Sequence, residues 1–335
     1  KIEEVNMNAA ILTDNYNDAR RVFDEKITQQ LRSNFDIESK IFTKENVLQG
    51  QLAQVETIFA TWGMPHFSCE EIKQYLPKLQ YVFYAAGSVQ AFAKEFLQAG
   101  IRVCSAWQAN AIPVAEFAFA QIVLAAKGFY RASKHCKLYY NANKFANSCG
   151  GNYNNKIGIL GVGSIGSMIC EKLKTIDCEV YYYDPFLDAS KAEQLGIKQA
   201  SLQEIFSNCN IVSNHLANKE ELNNVLNYSL FKLMPRYATF INTGRGKQVN
   251  ERELCKALKQ DKTRTALLDV TCPEPSKLYS PIRRRKNIVV TPHIAGSLGK
   301  EVVRMAQYML DDALKIQNGE SPKFEVTLQM LATMA

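Results

Sequence analysis

The sequence has no uninterrupted apolar run of the ~18 residues that a membrane-spanning helix needs. Its start, KIEEVNMNAAILTDN, lacks the basic region and apolar core of a signal peptide. These absences argue against membrane anchoring and secretion, and we expect no membrane partner. The chain begins at Lys1 rather than Met, which leaves its native start open.

Paired metal or disulfide motifs are also lacking. The cysteines stand at positions 69, 104, 136, 149, 170, 178, 209, 255 and 272, and none forms a CxxC pair. An odd, scattered set indicates free thiols in a reducing compartment, so we expect a cytoplasmic protein. The four histidines are not spaced with the cysteines as zinc ligands would be, and we expect no metal.

The charge balance is only mildly basic, with a net charge of +7. The densest cluster is Arg283-Arg284-Arg285-Lys286, and four cations in one turn usually form a solvated face. We therefore expect no nucleic-acid partner, although a basic balance suits small anionic ligands. At 335 residues the chain has room for two domains, each with its own core.

One stretch organises the rest of the chain. Residues 156–160 form a β-branched apolar run that predicts a buried strand, and Gly161-Val162-Gly163-Ser164-Ile165-Gly166 follows it. A helical stretch and a second strand, residues 179–183, then lead to Asp184. Gly161 permits a tight turn, Gly163 permits close approach of a pyrophosphate, and Gly166 permits close helix–strand packing.

Asp184 lies at the position where an acidic side chain accepts hydrogen bonds from an adenosine ribose. A 2′-phosphate would be repelled there, and Tyr183, Pro185 and Phe186 supply no cation, which favours NAD over NADP. A glycine-rich turn alone also occurs in α/β domains without a cofactor. The two strands and the spaced acid favour the dinucleotide site, for which we count Ser164 and Ile165 among the binding residues.

Strand-like and helix-like segments alternate along most of the chain, which predicts parallel sheets with helices on both faces. The further predicted strands are residues 8–13, 55–61, 79–85, 101–105, 211–214, 238–242, 266–270 and 288–290. The predicted helices include residues 17–34, 70–76, 111–130, 251–260 and 297–318. Pro113 is expected in the first turn of its helix, and residues 131–155 are expected to connect it to the glycine turn.

Three candidate catalytic residues follow three successive strands: Arg245, Glu274 and His293. Hydride transfer between a 2-hydroxy acid and a nicotinamide needs a base for the hydroxyl proton and a cation for the carboxylate and the developing carbonyl. His293 suits the first task, a neighbouring Glu274 would fix its tautomer, and Arg245 suits the second.

Each candidate also has a structural interpretation. A Pro-His pair at a strand end is more often a capped loop histidine, Glu274 could be a solvated turn, and Arg245 a structural cation. Among the other histidines, His66 and His135 lie outside the strand-end series, and His215 is placed to line the cofactor cleft. Earlier in the chain, the loop at Gly87 and Ser88 could bind a substrate carboxylate through its backbone N–H groups. The same two residues could equally form a plain turn.

The sequence resembles the NAD-dependent D-isomer-specific 2-hydroxyacid dehydrogenases. The resemblance is carried by GVGSIG at 161–166 with Asp184, INTGRGKQVNERELCKAL at 241–258, LDVTCPEP at 268–275 and TPHIAG at 291–296. It implies that Arg245 binds the substrate carboxylate and carbonyl, and that Glu274 and His293 form the acid–base pair. Because His215, Thr243 and Asp269 also lie at strand ends, the resemblance implies that they bind the cofactor.

The resemblance also implies an architecture. Two doubly wound α/β domains of Rossmann-like or flavodoxin-like type would flank an interdomain cleft, with residues 1–104 plus 297–335 as the substrate domain. Residues 105–296 would form the NAD-binding domain, and the protein would be a homodimer acting on a small 2-keto or 2-hydroxy acid.

The substrate loops depart from the commoner family pattern. Thr61-Trp62-Gly63-Met64-Pro65 replaces a stretch that often contains an arginine and a serine, and the loop at residues 86–90 lacks the usual acidic residue. The substrate therefore stays open, with a phosphoglycerate-type or bulkier acid as one alternative. A second alternative is an NAD(H)-sensing, corepressor-like protein of the same fold.

Overall fold

The computed structural model describes residues 7–135 and 148–331. These residues form thirteen strands: Asn8–Leu12 (β1), Asp36–Phe42 (β2), Thr57–Ala60 (β3), Tyr81–Tyr84 (β4), Arg102–Ser105 (β5), Asn155–Leu160 (β6), Cys178–Tyr183 (β7), Lys198–Gln199 (β8), Ile211–Asn214 (β9), Thr239–Asn242 (β10), Thr265–Leu268 (β11), Ile288–Val290 (β12) and Glu325–Val326 (β13).

The same residues form fifteen α-helices: Tyr16–Val22 (α1), Glu25–Asn34 (α2), Lys44–Leu48 (α3), Cys69–Tyr75 (α4), Ala93–Gln98 (α5), Trp107–Ala126 (α6), Phe129–His135 (α7), Ser164–Leu173 (α8), Ala189–Leu195 (α9), Leu202–Asn208 (α10), Tyr228–Phe231 (α11), Glu251–Gln260 (α12), Pro281–Arg284 (α13), Glu301–Gln317 (α14) and Leu328–Leu331 (α15). Two 3₁₀ turns, Glu220–Leu222 and Gly246–Gln248, complete the set.

The chain divides into two compact units. Lys1–Ala111 and Ser297–Ala335 make the first unit, and Ile112–Gly296 makes the second. Each unit contains one sheet with a buried apolar cluster on either face.

The first unit is built on a six-stranded sheet in the order β13-β5-β4-β3-β1-β2. Every pair is parallel except β13 with β5, and the first five strands follow the flavodoxin-like order 2-1-3-4-5. Alternate side chains of one strand serve opposite faces, so that Ile58 belongs to one cluster and Phe59 to the other. Phe59 stacks on Phe83 of the next strand, with ring centroids 5.4 Å apart.

The second unit is built on a seven-stranded sheet in the order β12-β11-β10-β9-β6-β7-β8, with every pair parallel. Counted from β6, the first six strands follow the Rossmann order 3-2-1-4-5-6. The order reverses between β6 and β9, and ligands bind beyond the carboxyl ends of the strands at such a reversal. Both sheets confirm the predicted α/β class with doubly wound parallel sheets.

Several predicted helices have different bounds in the structure. Residues 17–34 were expected to be one helix but form two, because Asp24 caps the second helix by accepting a hydrogen bond from the backbone N–H of Ile27 at 2.9 Å. Helix α6 begins at Trp107, so Pro113 lies inside it rather than in the first turn as predicted. Gly128, with φ of +64°, separates α6 from α7. Residues 136–147 of the predicted connecting segment, with Cys136, lie outside the described residues, as does the side chain of His135.

Helix α6 is long and apolar enough to cross a membrane when judged by length and composition alone. The count of uninterrupted apolar runs missed this helix because Glu116 interrupts the run. More than half of the tested stretch is buried inside the protein, as in a core helix. Among the described residues it is the one helix with these properties.

Four of the described cysteines, Cys104, Cys170, Cys209 and Cys255, are buried and form no disulfide. Burial raises the pKa of both Cys170 and Cys209 to about 12, so these two thiols stay protonated near neutral pH. No group of three or more potential metal-ligating side chains occurs within the described ranges.

Candidate active site

The glycine turn after β6 has the geometry that its sequence predicted. Gly161 has φ of +85°, and a Cβ there would lie 2.5 Å from the carbonyl oxygen of His215. A Cβ on Gly166 would lie 2.1 Å from the carbonyl oxygen of Gly161, so the helix packs on the turn only because Gly166 lacks one. Around Gly163 no heavy atom lies within 4 Å of the Cβ position, which leaves open space above the turn.

The start of helix α8 supplies donors for an anion. Gly163 is its N-cap and makes no side-chain cap bond. The backbone N–H groups of Gly163, Ser164 and Ile165 have no acceptor among the described residues. Free N–H groups at the positive end of a helix favour phosphate. The open space and these donors fit the pyrophosphate of a dinucleotide.

The two glycines provide a test that separates folding from cofactor binding. We expect Gly163→Ala to keep the wild-type melting temperature, because its Cβ meets no protein atom, but to weaken NADH binding about tenfold or more, because the pyrophosphate needs that space. Gly166→Ala should instead lower the melting temperature, since its Cβ meets backbone. Circular dichroism and NADH fluorescence titration measure the two effects, and equal NADH affinity in Gly163→Ala would contradict the placement.

Asp184 is bonded to the turn that it follows. One carboxylate oxygen accepts from the N–H of Val162 at 2.8 Å and the other from the N–H of Phe186 at 2.9 Å. Its contact with the cofactor ribose stays a prediction. The ammonium of Lys219 lies 4.9 Å from the centroid of the exposed Phe186 ring. This cation is remote in sequence, so residues 183–186 alone did not predict it.

His215 follows β9 on the other side of the strand-order reversal. Its Nε2 lies 2.8 Å from the Ser213 hydroxyl, and its Nδ1 lies 3.4 Å from the Thr243 hydroxyl. Burial of the ring lowers the pKa of His215 to about 3. This imidazole is therefore neutral near pH 7, which makes it a poor candidate for the acid–base role. The cofactor contacts predicted for His215 and Thr243 stay predictions.

The lowered pKa of His215 predicts acid sensitivity. The unfolded chain binds a proton near pH 6.5 and the folded chain only near pH 3, so this histidine stabilises the fold above pH 6.5 and loses that contribution as the pH falls toward 3. Between pH 6.5 and 5 the loss is at most about 2 kcal/mol. We expect His215→Gln to show a smaller fall in unfolding free energy over that range. Denaturant unfolding at each pH measures it, and equal slopes in the two proteins would contradict the assignment.

Three buried amide side chains join the ends of β9 and β10 to the Arg245 loop. The Nδ2 of Asn214 donates to Oδ1 of Asn242 at 3.0 Å and to Oε1 of Gln248 at 2.8 Å. Asn242 Nδ2 donates to the carbonyl of Arg245 at 3.3 Å, and Gln248 Nε2 donates to that of Ala217 at 2.7 Å. This network was not predicted from the sequence, although an asparagine as the last residue of two neighbouring strands was a signal for it.

Arg245 links this network to the Glu274–His293 contact. Its backbone is held by Asn242, and its Nη1 donates to the carbonyl of Gly244 at 2.9 Å. Burial lowers the pKa of Arg245, and the nearby Glu274 carboxylate opposes that shift. A guanidinium in this position remains charged and is partly shielded from water, which strengthens its attraction for an anion.

Glu274 and His293, predicted as an acid–base pair, are in contact, and their catalytic role stays a prediction. The Glu274 Oε1 lies 2.5 Å from His293 Nδ1, and their side chains are 41% and 52% exposed, so the pair is open to a small substrate. With Nδ1 engaged by the carboxylate, Nε2 is the ring atom left for a substrate. A cavity of about 710 Å³ adjoins the pair and is also lined by Arg283, which Ser276 Oγ holds at 2.8 Å.

Asp269 holds the loop that carries His293. Its buried carboxylate accepts from the N–H groups of Ile294 and Ala295, each at 2.9 Å, and from the Thr291 hydroxyl at 2.6 Å. Its carbonyl accepts from the N–H of His293 at 2.9 Å. Asp269 was predicted to bind cofactor; the structure shows it bonded within the loop, and a cofactor contact stays a prediction.

The two predicted substrate-loop residues lie in the first unit. The Ser105 hydroxyl lies 2.7 Å from the carbonyl of Gly87 and 3.0 Å from that of Ala86, which fixes the loop. The N–H groups of Gly87 and Ser88 have no acceptor among the described residues. They are therefore available to a carboxylate, as the sequence predicted, and the contact itself stays a prediction.

Comparison with known proteins gives a family. The model of the D-isomer specific 2-hydroxyacid dehydrogenase, NAD binding domain, matches residues 119–295, more than half of the chain. A 2-hydroxyacid dehydrogenase of Staphylococcus haemolyticus is 34% identical over 51% of this chain and 53% of its own length. The chain thus spans about half of that relative. A glyoxylate reductase of Korarchaeum cryptofilum is 28% identical over 75% of this chain and 77% of its own.

Solved structures share the fold. A phosphoglycerate oxidoreductase from Rhizobium etli superposes with a TM-score of 0.79 at 23% identity, over 95% of this chain and 97% of that protein. The matched family domain covers the glycine turn and all three strand-end residues. The chain belongs to the D-isomer specific 2-hydroxyacid dehydrogenases, and its cofactor is NAD.

Proposed function

We propose that the protein interconverts a small 2-keto acid and its D-2-hydroxy acid. The observation that carries this proposal is the 2.5 Å contact between Glu274 and His293 beside Arg245, at the carboxyl edge of an NAD-binding sheet. The family supports the reaction type, and relatives that act on glyoxylate or phosphoglycerate support the substrate class.

The residues divide the work as follows. Arg245 holds the substrate carboxylate and polarises the carbonyl oxygen through its fixed fork of donors. His293 transfers a proton between Nε2 and that oxygen, while Glu274 holds the ring through Nδ1 and stabilises the imidazolium. The nicotinamide, when bound, supplies or accepts the hydride. The N–H groups at the start of α8 hold the pyrophosphate.

The direct test is NADH oxidation, followed by absorbance, against glyoxylate, pyruvate, hydroxypyruvate, 2-oxoglutarate and bulkier or phosphorylated 2-keto acids. We expect turnover with at least one member of the panel. A flat response from a protein that still binds NADH would contradict the proposal and favour the sensing alternative. In that case NADH would change the binding of a partner instead.

The quaternary and cellular context are further proposals. The family resemblance supports a homodimer. The odd, scattered set of cysteines in the sequence supports a cytoplasmic location, and we propose neither membrane nor nucleic-acid partners. Light scattering of the purified protein measures the molar mass, and a monomer at micromolar concentration would overturn the dimer.

A further inference from the structure

A second cavity lies at the amino-terminal edge of the sheet in the second unit. It has a volume of about 230 Å³, and the starts of four adjacent strands, β6, β9, β10 and β11, line it. Arg245 and His215 follow the opposite ends of β10 and β9. Because strands advance about 3.3 Å per residue, the cavity is more than 10 Å from the catalytic edge.

Arg131 and Arg236 line this cavity. Arg236 is exposed and lies near Asp261, whose pKa is lowered by hydrogen bonds from Thr263 and by the charges of Arg264 and Arg236, whereas Arg131 is partly buried. Arg131 donates from Nη2 to the carbonyl and hydroxyl of Ser148, at 2.5 Å and 2.7 Å. It makes no ion pair within the described ranges, and its burial lowers its pKa. The sequence contains no aspartate or glutamate between Glu116 and Glu171, so this part of the chain offers no counter-ion. A partly buried guanidinium without an anionic partner is an unusual feature.

The ring of Tyr237 lies against both guanidiniums. Its ring lies 4.5 Å from the guanidinium carbon of Arg131 and 5.4 Å from that of Arg236. Its φ is +69°, a left-handed conformation that glycine adopts without strain and that tyrosine adopts at a cost. The ring that tyrosine adds at this position orients both cations at the cavity.

Neutral donors complete the lining. The hydroxyls of Thr239 and Thr265 belong to residues that are each only 5% exposed, and they have no hydrogen-bond partner in the part of the chain that the structure describes. Asn210 Nδ2 donates one hydrogen bond to Asn155 Oδ1 at 2.8 Å and keeps a second N–H. A small polar ligand would therefore meet donors on several sides.

The carboxyl end of helix α6 also borders the cavity and contributes about half a negative charge. Two of its terminal carbonyls already accept hydrogen bonds, that of Ala125 from Gly128 N–H at 2.9 Å and that of Ala126 from Gly151 N–H at 3.1 Å. The Arg131 guanidinium, which has no carboxylate partner among the described residues, outweighs this partial charge. Arg236 adds a cation that Asp261 offsets in part, so the cavity favours anions.

We propose that this cavity binds a small oxyanion, a phosphate or carboxylate of metabolite size, at a site separate from the catalytic edge. Arg131 and Arg236 supply the charge, and the threonine hydroxyls and asparagine amides supply directed donors. The volume suits inorganic phosphate or a small phosphorylated or carboxylated metabolite, not a dinucleotide.

The test uses the protein saturated with NADH, so that the glycine turn is occupied, at constant ionic strength. Inorganic phosphate and, separately, succinate are titrated by calorimetry, which distinguishes the two oxyanions. We expect saturable binding of at least one, weakened about tenfold or more in Arg131→Gln. Arg284→Gln, at an exposed arginine outside the cavity, is the matched control and should bind as the wild type does.

Two further variants test the proposal in case Arg131→Gln does not fold. Thr239→Val with Thr265→Val removes only hydroxyls and should weaken binding, and Tyr237→Gly should weaken binding while the melting temperature holds or rises. No saturable binding of either anion to the wild type would overturn the proposal. Wild-type anion affinity in the folded variants would also overturn it, as would an equal loss of affinity in Arg284→Gln or competition between the anion and NADH. A variant that changes only the molar mass would show instead that a second copy of the chain fills the cavity, which would overturn the proposal too.

Discussion

Replacing His293 with alanine is expected to lower kcat by about two to four orders of magnitude while NADH binding stays near the wild-type value. The half-exposed imidazole lies beside Glu274, and its removal leaves no proton donor for the carbonyl oxygen. His215 is half-buried, its lowered pKa keeps the ring neutral, and both ring nitrogens already contact hydroxyl groups, so it offers no replacement. Steady-state NADH oxidation and fluorescence titration of NADH measure the two quantities.

The chain offers a matched control for this variant. His66 also faces a carboxylate, with Nε2 3.5 Å from Glu95 Oε1, and its side chain is 60% exposed. His66→Ala removes a comparable histidine–glutamate pair from the first unit and should keep wild-type turnover. If His293→Ala turned over as fast as His66→Ala, the acid–base assignment would be wrong.

Replacing Arg245 with glutamine should lower kcat/KM by about two to three orders of magnitude, with a higher KM for the keto acid and a lower kcat. The guanidinium binds the carboxylate in the ground state and stabilises the charge that develops on the carbonyl oxygen. Arg245→Lys should recover only part of the loss, because an ammonium keeps the charge but lacks the planar fork of donors. Initial rates over a range of keto-acid concentrations separate KM from kcat.

A control for this prediction lies seven residues along the chain. Arg252 is exposed on helix α12, and Arg252→Gln removes one positive charge from the same unit without touching the strand-end loop. We expect unchanged kinetic constants there. Full recovery of activity in Arg245→Lys would show that charge alone is needed and would contradict a bidentate role.

The sequence predicted those parts of the fold whose pattern is strong and local. Strands β9 and β12 have the predicted bounds because β-branched apolar residues begin both of them. Strand β2 was missed because Asp36–Phe42 is an exposed edge strand, whose charged residues look like a loop. The break between α1 and α2 was missed because the cap at Asp24 was read as part of a continuous helix.

Only part of the candidate site could be predicted from the sequence. Arg245, Glu274 and His293 could be predicted because parallel strands bring their following loops to one edge. The hydrogen bonds of Asn214, Gln248 and Asp269 join residues 22 to 34 positions apart, and their partners depend on the register of neighbouring strands. Lys219 and Phe186 follow β9 and β7, which lie on either side of β6, so their contact depends on a strand order that the local sequence does not show.

The conformation of His293 has an evolutionary consequence. Its φ is +55°, in the region where any residue other than glycine costs the fold about 1 kcal/mol or more. A hydrogen bond from its N–H to the Asp269 carbonyl keeps it there. Glycine at this position would relieve the strain and abolish proton transfer, so stability and turnover oppose each other at one residue. Selection for NADH binding alone would therefore favour glycine here, because glycine stabilises the fold. Selection for turnover would favour the histidine.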